Sequence, residues 1–239
     1  MAVHYRTKGI FIKKTDRGET DQLFTIYTED FGKLDILGRA IRKIRSKLRS
    51  GAELFYLSEI EFIQGKTYKT LTDALLIDSF QNTRKKLKRL AVVHKIGEVL
   101  NGLIKGQEAD EKIWQLVYST FLKLDKEEKN WEFIYYYFFW KILSFLGYEP
   151  ELHHCVVCQK KIIPGILYFS SGEGGLVCDK CFEEKKEAEE VSQNLIKILR
   201  ILYSKDWKFV SKLKIGPELE KSLKNISENY LNYILGKTQ

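Results

Sequence analysis

The sequence predicts an α+β multidomain protein: a small five-stranded barrel at the N-terminus, then an all-helical domain interrupted by a four-cysteine module. Three observations lead to this prediction. Short β-like runs separated by turn residues fill the first third of the 239 residues, and helical periodicity fills most of the remainder. All four cysteines lie in two Cys-x-x-Cys pairs. We expect four segments, namely residues 1–80, 81–150, 151–184 and 185–239.

The first segment, residues 1–80, has five runs rich in β-branched and aromatic residues. The runs are Gly9–Ile12, Leu23–Thr28, Lys33–Leu37, Leu54–Ile63 and Tyr68–Ile77. In the fourth run, Ile60 and Phe62 alternate with Glu59 and Glu61, as expected of a strand with one buried face. Five short strands at this spacing predict a closed barrel or a sandwich. The oligonucleotide-binding (OB) type of barrel is the best-known five-stranded solution at this size.

A basic segment, residues 39–49, lies between the third and fourth runs. It contains six basic residues and no acidic one: Arg39, Arg42, Lys43, Arg45, Lys47 and Arg49. These side chains repel each other unless an anion neutralises them, and a phosphate backbone is such an anion. Ile41, Ile44 and Leu48 are three and four residues apart, so we expect them to pack while the basic side chains face out. A merely solvated basic loop is the alternative.

Residues 81–150 show three helical patterns. The first opens with a candidate second basic patch and has an apolar stripe that includes Leu87 and Ala91, with His94 predicted at the core or its boundary. Asp110 and Asn130 are the expected N-caps of the next two helices, and Gly147 ends the third. The second basic patch consists of Arg84, Lys85, Lys86, Lys88 and Arg89.

The third helix, Trp131–Leu146, has aromatic residues on every side. A helix that is apolar all round is predicted to be central to the helical core. The alternative is that one edge forms an apolar groove for a partner peptide.

The cysteine quartet (Cys155, Cys158, Cys178 and Cys181) predicts one zinc ion per chain. Nineteen residues separate its two Cys-x-x-Cys pairs, a spacing typical of zinc sites. Four thiolates complete a tetrahedral coordination, so the ion is expected to be structural and not catalytic. Two disulfides, or a redox centre of the thioredoxin type, are the alternatives. His153 and His154 could replace a sulfur ligand, but we expect them in solvent or behind the ligands.

The segment between the cysteine pairs predicts a hairpin with a glycine-rich turn, which makes residues 151–184 a zinc ribbon inserted in the helical domain. After it, Phe182–Val191 is predicted to be a charged, solvated helical stretch. Ser192 is the expected N-cap of the next helix, and Pro217 the expected start of the last one.

Composition favours a polyanionic partner. Lys and Arg total 40 against 32 Asp and Glu, a net charge of +8. The N-terminus has no apolar signal segment, and the most apolar run is too short to span a bilayer. We therefore expect a soluble, cytoplasmic protein, and association with the nucleoid if the polyanionic partner is DNA. We find no nucleophile, acid/base pair or cofactor motif, which predicts no catalytic residues.

The order of these parts resembles the RecO family of bacterial recombination mediators over nearly the whole chain. Leu146–Pro150, leading into the two cysteine pairs, matches the family in the second half. The matching stretches in the first half are Gly9–Ile12, Gly18–Leu23, Thr28, Phe31–Lys33, Gly38–Arg42 and Ser46–Leu48. The cysteine quartet varies in that family, and its presence here is similar to the zinc-bearing members.

The resemblance implies binding to single- and double-stranded DNA, annealing of complementary strands and partnership with RecR. It also implies assistance in loading RecA on DNA covered by single-strand binding protein, whose acidic-apolar tail docks on the helical domain. Such a role belongs to homologous recombination and gap repair. A zinc-dependent nucleic-acid enzyme is one alternative, although a deaminase would show His-x-Glu before its paired cysteines. A zinc-ribbon RNA or transcription module is another.

Overall fold

The structure is a computed structural model that describes residues 3–237. The chain forms two compact units, Met1–Ile134 and Tyr135–Gln239. The finer division into a barrel, two helical parts and a ribbon, with boundaries at residues 80, 150 and 184, stays a prediction.

The first unit begins with a closed five-stranded barrel, as predicted. Neighbouring strands follow the order β1-β2-β3-β5-β4, and β4 pairs back onto β1. A short parallel pairing of Ile36 and Leu37 with Lys69 and Thr70 closes the barrel, and the other pairings are antiparallel. The strands are β1 (His4–Arg17), β2 (Asp21–Thr28), β3 (Gly32–Gly38), β4 (Leu57–Ile63) and β5 (Lys69–Asp78).

The barrel interior is filled by aliphatic and aromatic side chains that alternate along the strands. Phe11 and Phe24 meet edge to face, with ring centroids 5.2 Å apart. Ile26, Ile36 and Ile60 are fully buried beside them. The fourth strand starts three residues later than expected because Phe55 has a φ of 63° and turns the chain before Leu57.

Three helices lie wholly within the rest of the first unit: α1 (Gln81–Arg84), α2 (Leu87–Leu103) and α3 (Glu111–Lys126). Asp110 caps α3, as predicted, because its side chain accepts the Ile113 N–H at 3.0 Å. The prediction of one helix that begins at Arg84 is wrong, since α1 ends at Arg84 and α2 begins at Leu87.

The apolar stripe predicted for α2 is also partly wrong. Leu87 is 85% exposed, and Ala91 faces solvent. The buried face instead includes Val92, Val93 and Ile96. His94 is exposed, although its ring packs at a right angle to the ring of Phe55, with ring centroids 4.7 Å apart.

Helix α4 (Trp131–Phe145) confirms the core interpretation of the aromatic run, because every residue from Phe133 to Trp140 is buried. Gly147 ends the helix with a φ of 79°. The Tyr148 N–H then donates to the Leu143 carbonyl at 2.8 Å, which is the Schellman arrangement that a left-handed glycine permits.

The cysteine module contains a three-stranded sheet in the order β7-β6-β8, built from β6 (Leu167–Ser170), β7 (Gly175–Cys178) and β8 (Glu189–Glu190). The predicted hairpin is β6 with β7. The helical prediction for Phe182–Val191 is wrong: a 3₁₀ helix at Asp179–Glu184 leads into β8. Burial of Ala188 and pairing of β8 with β6 outweigh the helical propensity of the charged residues.

Three helices complete the second unit: α5 (Gln193–Ser204), α6 (Trp207–Val210) and α7 (Pro217–Lys237). Ser192 caps α5 by accepting the Leu195 N–H at 3.2 Å, as predicted. Pro217 is the first residue of α7, also as predicted. The short α6 had no prediction. Trp140 of α4 stacks on Tyr230 of α7 and donates its indole N–H to Ser227 at 3.1 Å.

Candidate metal centre and nucleic-acid interface

The four cysteine sulfurs converge on one point. All four Sγ atoms lie within 4.8 Å of one another, and Cys158 and Cys178 are 3.9 Å apart. A tetrahedral zinc with Zn–S bonds of about 2.3 Å has sulfur–sulfur edges of about 3.8 Å. The donor set and its spacing therefore fit one tetrahedral metal ion.

Backbone hydrogen bonds hold the first pair, Cys155 and Cys158, in a tight turn. The Gln159 N–H donates to the Cys155 carbonyl at 2.9 Å, and the Cys155 N–H donates to the Lys160 carbonyl at 2.9 Å. Gln159 has a φ of 60°, which reverses the chain after Cys158. The two pairs meet where the Cys178 N–H donates to the Cys155 sulfur at 3.4 Å. The thiolate that a metal requires thus already has an N–H donor.

Burial and hydrogen bonds shift the pKa values of the Cys155 and Cys181 thiols in opposite directions. Burial raises the pKa of the Cys155 thiol, but the N–H groups of Cys158, Cys178 and Val157 together outweigh that effect and lower it to about 6. Burial and the neighbouring sulfurs raise the pKa of Cys181 to about 12. A cluster that keeps protons on some of its sulfurs must release them when a cation binds, so its metal affinity increases with pH.

An aromatic pair packs beside the sulfurs. The rings of Tyr168 and Phe182 are stacked at 3.8 Å with 12° between their planes, and both contact the buried cluster around Cys155. His153 and His154 are exposed. The backbone N–H groups of both residues donate to the Glu151 carboxylate, at 2.6 and 3.0 Å. Neither histidine belongs to the sulfur cluster.

The basic segment, residues 39–49, is fixed to the barrel at both ends. At its start, Asp21 accepts the Ala40 N–H at 2.7 Å, and the Thr20 carbonyl accepts the Arg42 N–H at 3.0 Å. At its end, the Ser58 hydroxyl donates to the Gly51 carbonyl at 2.6 Å. A Cβ at Gly51 would lie 2.0 Å from the Ala74 carbonyl oxygen, so only glycine fits there.

All six basic side chains of the segment face solvent: Arg39, Arg42, Lys43, Arg45, Lys47 and Arg49. Ile41 is buried and Leu48 packs on the barrel core, as expected. The expectation for Ile44 is wrong, because its side chain is 91% exposed. The segment is a short loop with one 3₁₀ turn at Lys47–Ser50, so three- and four-residue spacing does not place Ile44 on the inner face.

Two carboxylates contact the segment. Asp16 pairs with Arg42 at 3.3 Å. The Ala40 N–H, the Thr20 hydroxyl and the charges of Arg39 and Lys43 lower the pKa of Asp21. Asp21 was not among the predicted site residues. The turn after β1 and the positive φ required at Ala40 call for such an acceptor, but one sequence alone does not show the pairing.

The second basic patch divides into exposed and packed members. Arg84, Lys85, Lys86 and Lys88 are exposed, and only Arg89 of the five is buried. The Arg84 guanidinium lies 4.7 Å from the centre of the Tyr56 ring and donates to the Leu54 carbonyl at 2.7 Å.

Lys86 and Arg89 both lie against the ring of Trp131. Arg89 is only 3% exposed and donates to the Asp125 carbonyl at 3.1 Å. Its Nε has no hydrogen-bond partner among the described residues, and the carbon of its guanidinium lies 4.8 Å from the centre of the Trp131 ring. Arg89 thus packs the helical part of the first unit.

In the part of the chain that the structure describes, no helix combines the length and apolarity needed to cross a membrane.

Comparisons with known proteins agree over the whole chain. A family model described as the N terminal of recombination protein O matches residues 1–80, and the model of the C terminal of the same protein matches residues 84–239. A protein of Dehalococcoides mccartyi named DNA repair protein RecO is 31% identical over 233 residues, which are 98% of this chain and 91% of the relative.

Two further relatives have the same printed name. The protein of Halalkalibacterium halodurans is 27% identical over 97% of this chain and 90% of its own length. The protein of Acetivibrio thermocellus is 27% identical over 98% of this chain and 93% of its own length. With both family models matched in order on a barrel followed by a helical region, the chain belongs to the RecO family of DNA repair proteins.

Proposed function

We propose that the protein binds single- and double-stranded DNA through the basic segment, residues 39–49. The observation that supports this most directly is the exposure of all six basic side chains on one loop that is fixed at both ends to a barrel of the OB strand order. A fixed loop loses little conformational entropy when it binds, which favours affinity. Because the basic side chains of this loop are exposed, they can contact phosphates.

The proposed process is annealing of complementary strands, in which base-pair hydrogen bonds form and no covalent bond is made or broken. Two strands repel each other through their phosphates, and cationic side chains that neutralise both strands remove this barrier to their meeting. Arginine suits the role because its planar guanidinium stacks on exposed bases as well as pairing with phosphate. We propose no catalytic residue.

We further propose that the cysteine quartet holds one structural zinc ion. The support is the convergence of four sulfurs at tetrahedral spacing, which leaves no coordination position for water or substrate. A closed site stabilises the ribbon and does not activate a nucleophile. DNA contact is therefore assigned to the barrel and not to the metal.

Membership of the RecO family supports the proposed partners. These are RecR, the acidic-apolar tail of single-strand binding protein, and indirectly RecA during recombination and gap repair in the cytoplasm, at the nucleoid. Four residues of the second basic patch are exposed and remain candidates for the tail or for DNA: Arg84, Lys85, Lys86 and Lys88. Arg89 does not, because it is buried.

The test is DNA affinity after replacing Arg39, Arg42 and Arg45 with Ala. We expect binding of both single- and double-stranded oligonucleotides to weaken about tenfold or more at physiological salt, because three phosphate contacts are lost. The matched control replaces Lys112, Lys126 and Lys129, which are exposed in the same unit but outside the basic segment. Equal loss in the two triple variants would show an effect of net charge and reject the site.

A further inference from the structure

A second basic surface lies in the other compact unit, around the short helix α6. The segment Lys205–Lys214 contains four lysines and one acidic residue, Asp206, and two aromatic residues interrupt it. Nothing in the proposed function so far uses this surface. Its composition, basic residues interleaved with aromatic ones, is that of surfaces that follow a single nucleic-acid strand.

Hydrogen bonds fold this segment into a compact helical turn. The Val210 N–H donates to the Asp206 carbonyl at 3.0 Å, and the Ser211 N–H donates to the Trp207 carbonyl at 2.8 Å. Val210 is fully buried, and the half-buried Trp207 packs on Tyr137 with ring centroids 5.4 Å apart. The inner face of the turn is therefore attached to the core of its unit.

The outer face of the turn presents one ring among three lysines. Phe209 is 50% exposed, although a phenylalanine is normally among the most buried residues. The Lys205 Nζ lies 6.0 Å from the centre of that ring, and Lys208 and Lys212 are one residue before and three residues after it. We call this set, Lys205, Lys208, Phe209 and Lys212, the α6 face.

The charge of the α6 face is not neutralised internally. Among residues 3–237, none of its three lysines forms an ion pair with a carboxylate. Asp206, the one carboxylate of the segment, is itself exposed; after burial, its charge is the next cause that raises the pKa of Tyr137, and it also acts on Lys141. Three uncompensated lysines around an exposed ring favour an anionic ligand that also has flat apolar groups.

We propose that the α6 face binds a segment of single-stranded nucleic acid, with a base stacked on Phe209 and phosphates beside Lys205, Lys208 and Lys212. This inference rests on the proposed annealing function and extends it, because a protein that holds both complementary strands brings them close together. The basic segment of the barrel then holds one strand, and the α6 face holds the other. The two surfaces belong to different compact units.

The exposure of the ring favours a strand over an acidic peptide. A peptide that inserts an apolar side chain needs a concave pocket. Phe209 instead protrudes, and half of its surface is free to be covered by another flat ring. Stacking of a base on an aromatic side chain strengthens binding about fivefold to a hundredfold, so a single exposed ring has a measurable effect.

The test is the number of short oligonucleotides that one chain binds. Fluorescent thymidine octamers are titrated into the full chain at a concentration well above the dissociation constant. We expect two octamers per chain in the unaltered protein and one after Lys205, Lys208 and Lys212 are replaced with Ala. We expect one after replacing Arg39, Arg42 and Arg45, and none when both sets are replaced.

Single substitutions separate stacking from charge. We expect Phe209→Ala to weaken binding of the second octamer at least about fivefold. We expect Phe209→Tyr to keep that binding and Phe209→Leu to lose it, because only tyrosine retains a ring for stacking. Phe145→Ala is the matched aromatic control, since Phe145 is 40% exposed in the same unit. Replacing Lys197, Lys221 and Lys224, which are exposed on α5 and α7, controls for net charge. Both controls should still bind two octamers.

The outcomes distinguish this inference from the proposed function. One octamer per chain that is lost only with the barrel arginines would overturn the α6 face and support the barrel site. No binding by the unaltered protein would overturn both. An acidic peptide with one phenylalanine that binds the α6 face, while octamers do not, would assign the face to a protein ligand and overturn the strand. A wild-type stoichiometry unaffected by the α6 variants would also contradict the inference.

Discussion

The ribbon and the basic segment are held in similar ways, but their polar side chains point in opposite directions. Both are loops attached to a small β-sheet, and backbone hydrogen bonds fix both. In the ribbon, the reactive atoms point inward, so that four sulfurs lie within 4.8 Å and share a buried cluster with Val177 and Ala188. In the basic segment, the charged atoms all point outward, and only Ile41 and Leu48 face the core.

This difference shows which properties each region can support. Sulfur ligands that face each other stabilise a small sheet that has little apolar core of its own. Basic side chains that face away from each other reduce stability through mutual repulsion, and they recover that energy only when an anion binds. We propose that stability depends on the ribbon and DNA binding on the basic segment, and substitutions can test this separation.

The largest expected effect is on the stability of the ribbon. We expect Cys158→Ser, or removal of metal by a chelator, to unfold residues around β6, β7 and β8, because zinc-ligand binding contributes about 10–16 kcal/mol in small zinc modules. Amide exchange should report this loss. The affinity of the barrel for single-stranded DNA should change little.

The control for this prediction is His154→Ala, since His154 lies outside the sulfur cluster. It should keep about one zinc per chain by elemental analysis. A Cys158→Ser protein that retains its metal and its ribbon would contradict the structural role of the quartet.

A pair of isoleucines tests the inward and outward faces of the basic segment. Ile41→Ala should reduce the free energy of unfolding by about 2–4 kcal/mol, because Ile41 is buried in the barrel core. Ile44→Ala should change it by less than about 0.5 kcal/mol, because Ile44 is 91% exposed. Urea unfolding of the two variants measures both values. Equal effects would mean that the segment does not adopt this conformation.

The second basic patch contains an equivalent pair. Arg89→Ala should destabilise the first unit by about 1–3 kcal/mol, because it removes a buried guanidinium from the Asp125 carbonyl and from the ring of Trp131. Lys88→Ala, one residue earlier and exposed, should leave thermal stability unchanged. An Arg89→Ala protein as stable as the Lys88 variant would place Arg89 in solvent.

The smallest expected effect is at Asp21. Its pKa is lowered in the folded protein, chiefly by the Ala40 N–H, so the charged form stabilises the segment above the ordinary pKa of 3.8. That contribution should be lost as pH falls below 3.8 through the lowered value. Asp21→Asn should remove this pH dependence from amide exchange at Ala40 while keeping an acceptor. An unchanged pH dependence would mean that another group controls the loop.

Local chemistry explains which features could be predicted from the sequence. Asp110, Ser192 and Pro217 act on the first turn of the helix that follows each of them, so their neighbours in sequence are sufficient to identify them. The five barrel strands and the cysteine quartet follow from spacing in the same way. The DNA-binding role of the six basic residues remains a prediction.

The features that the sequence did not reveal depend on distant partners. Arg89 is buried because Trp131, forty-two residues later, covers it. The segment Phe182–Val191 has the composition of a solvated helix, but β6 offers a free edge with which Glu189 and Glu190 pair. Ile44 shares the spacing of Ile41 and Leu48 but not their helical geometry. Such burial and pairing are properties of the folded chain and not of a sequence window.

The most direct measurement of the central claim is the salt dependence of single-strand binding. Six exposed basic side chains on the segment give a slope of log K against log salt of about −4 if all contact phosphate. Replacing Arg39, Arg42 and Arg45 with Ala should reduce its magnitude by about 2, whereas Cys158→Ser should leave it unchanged. The account would be contradicted if the arginine variant kept the original slope, or if loss of the metal ligand changed the slope instead.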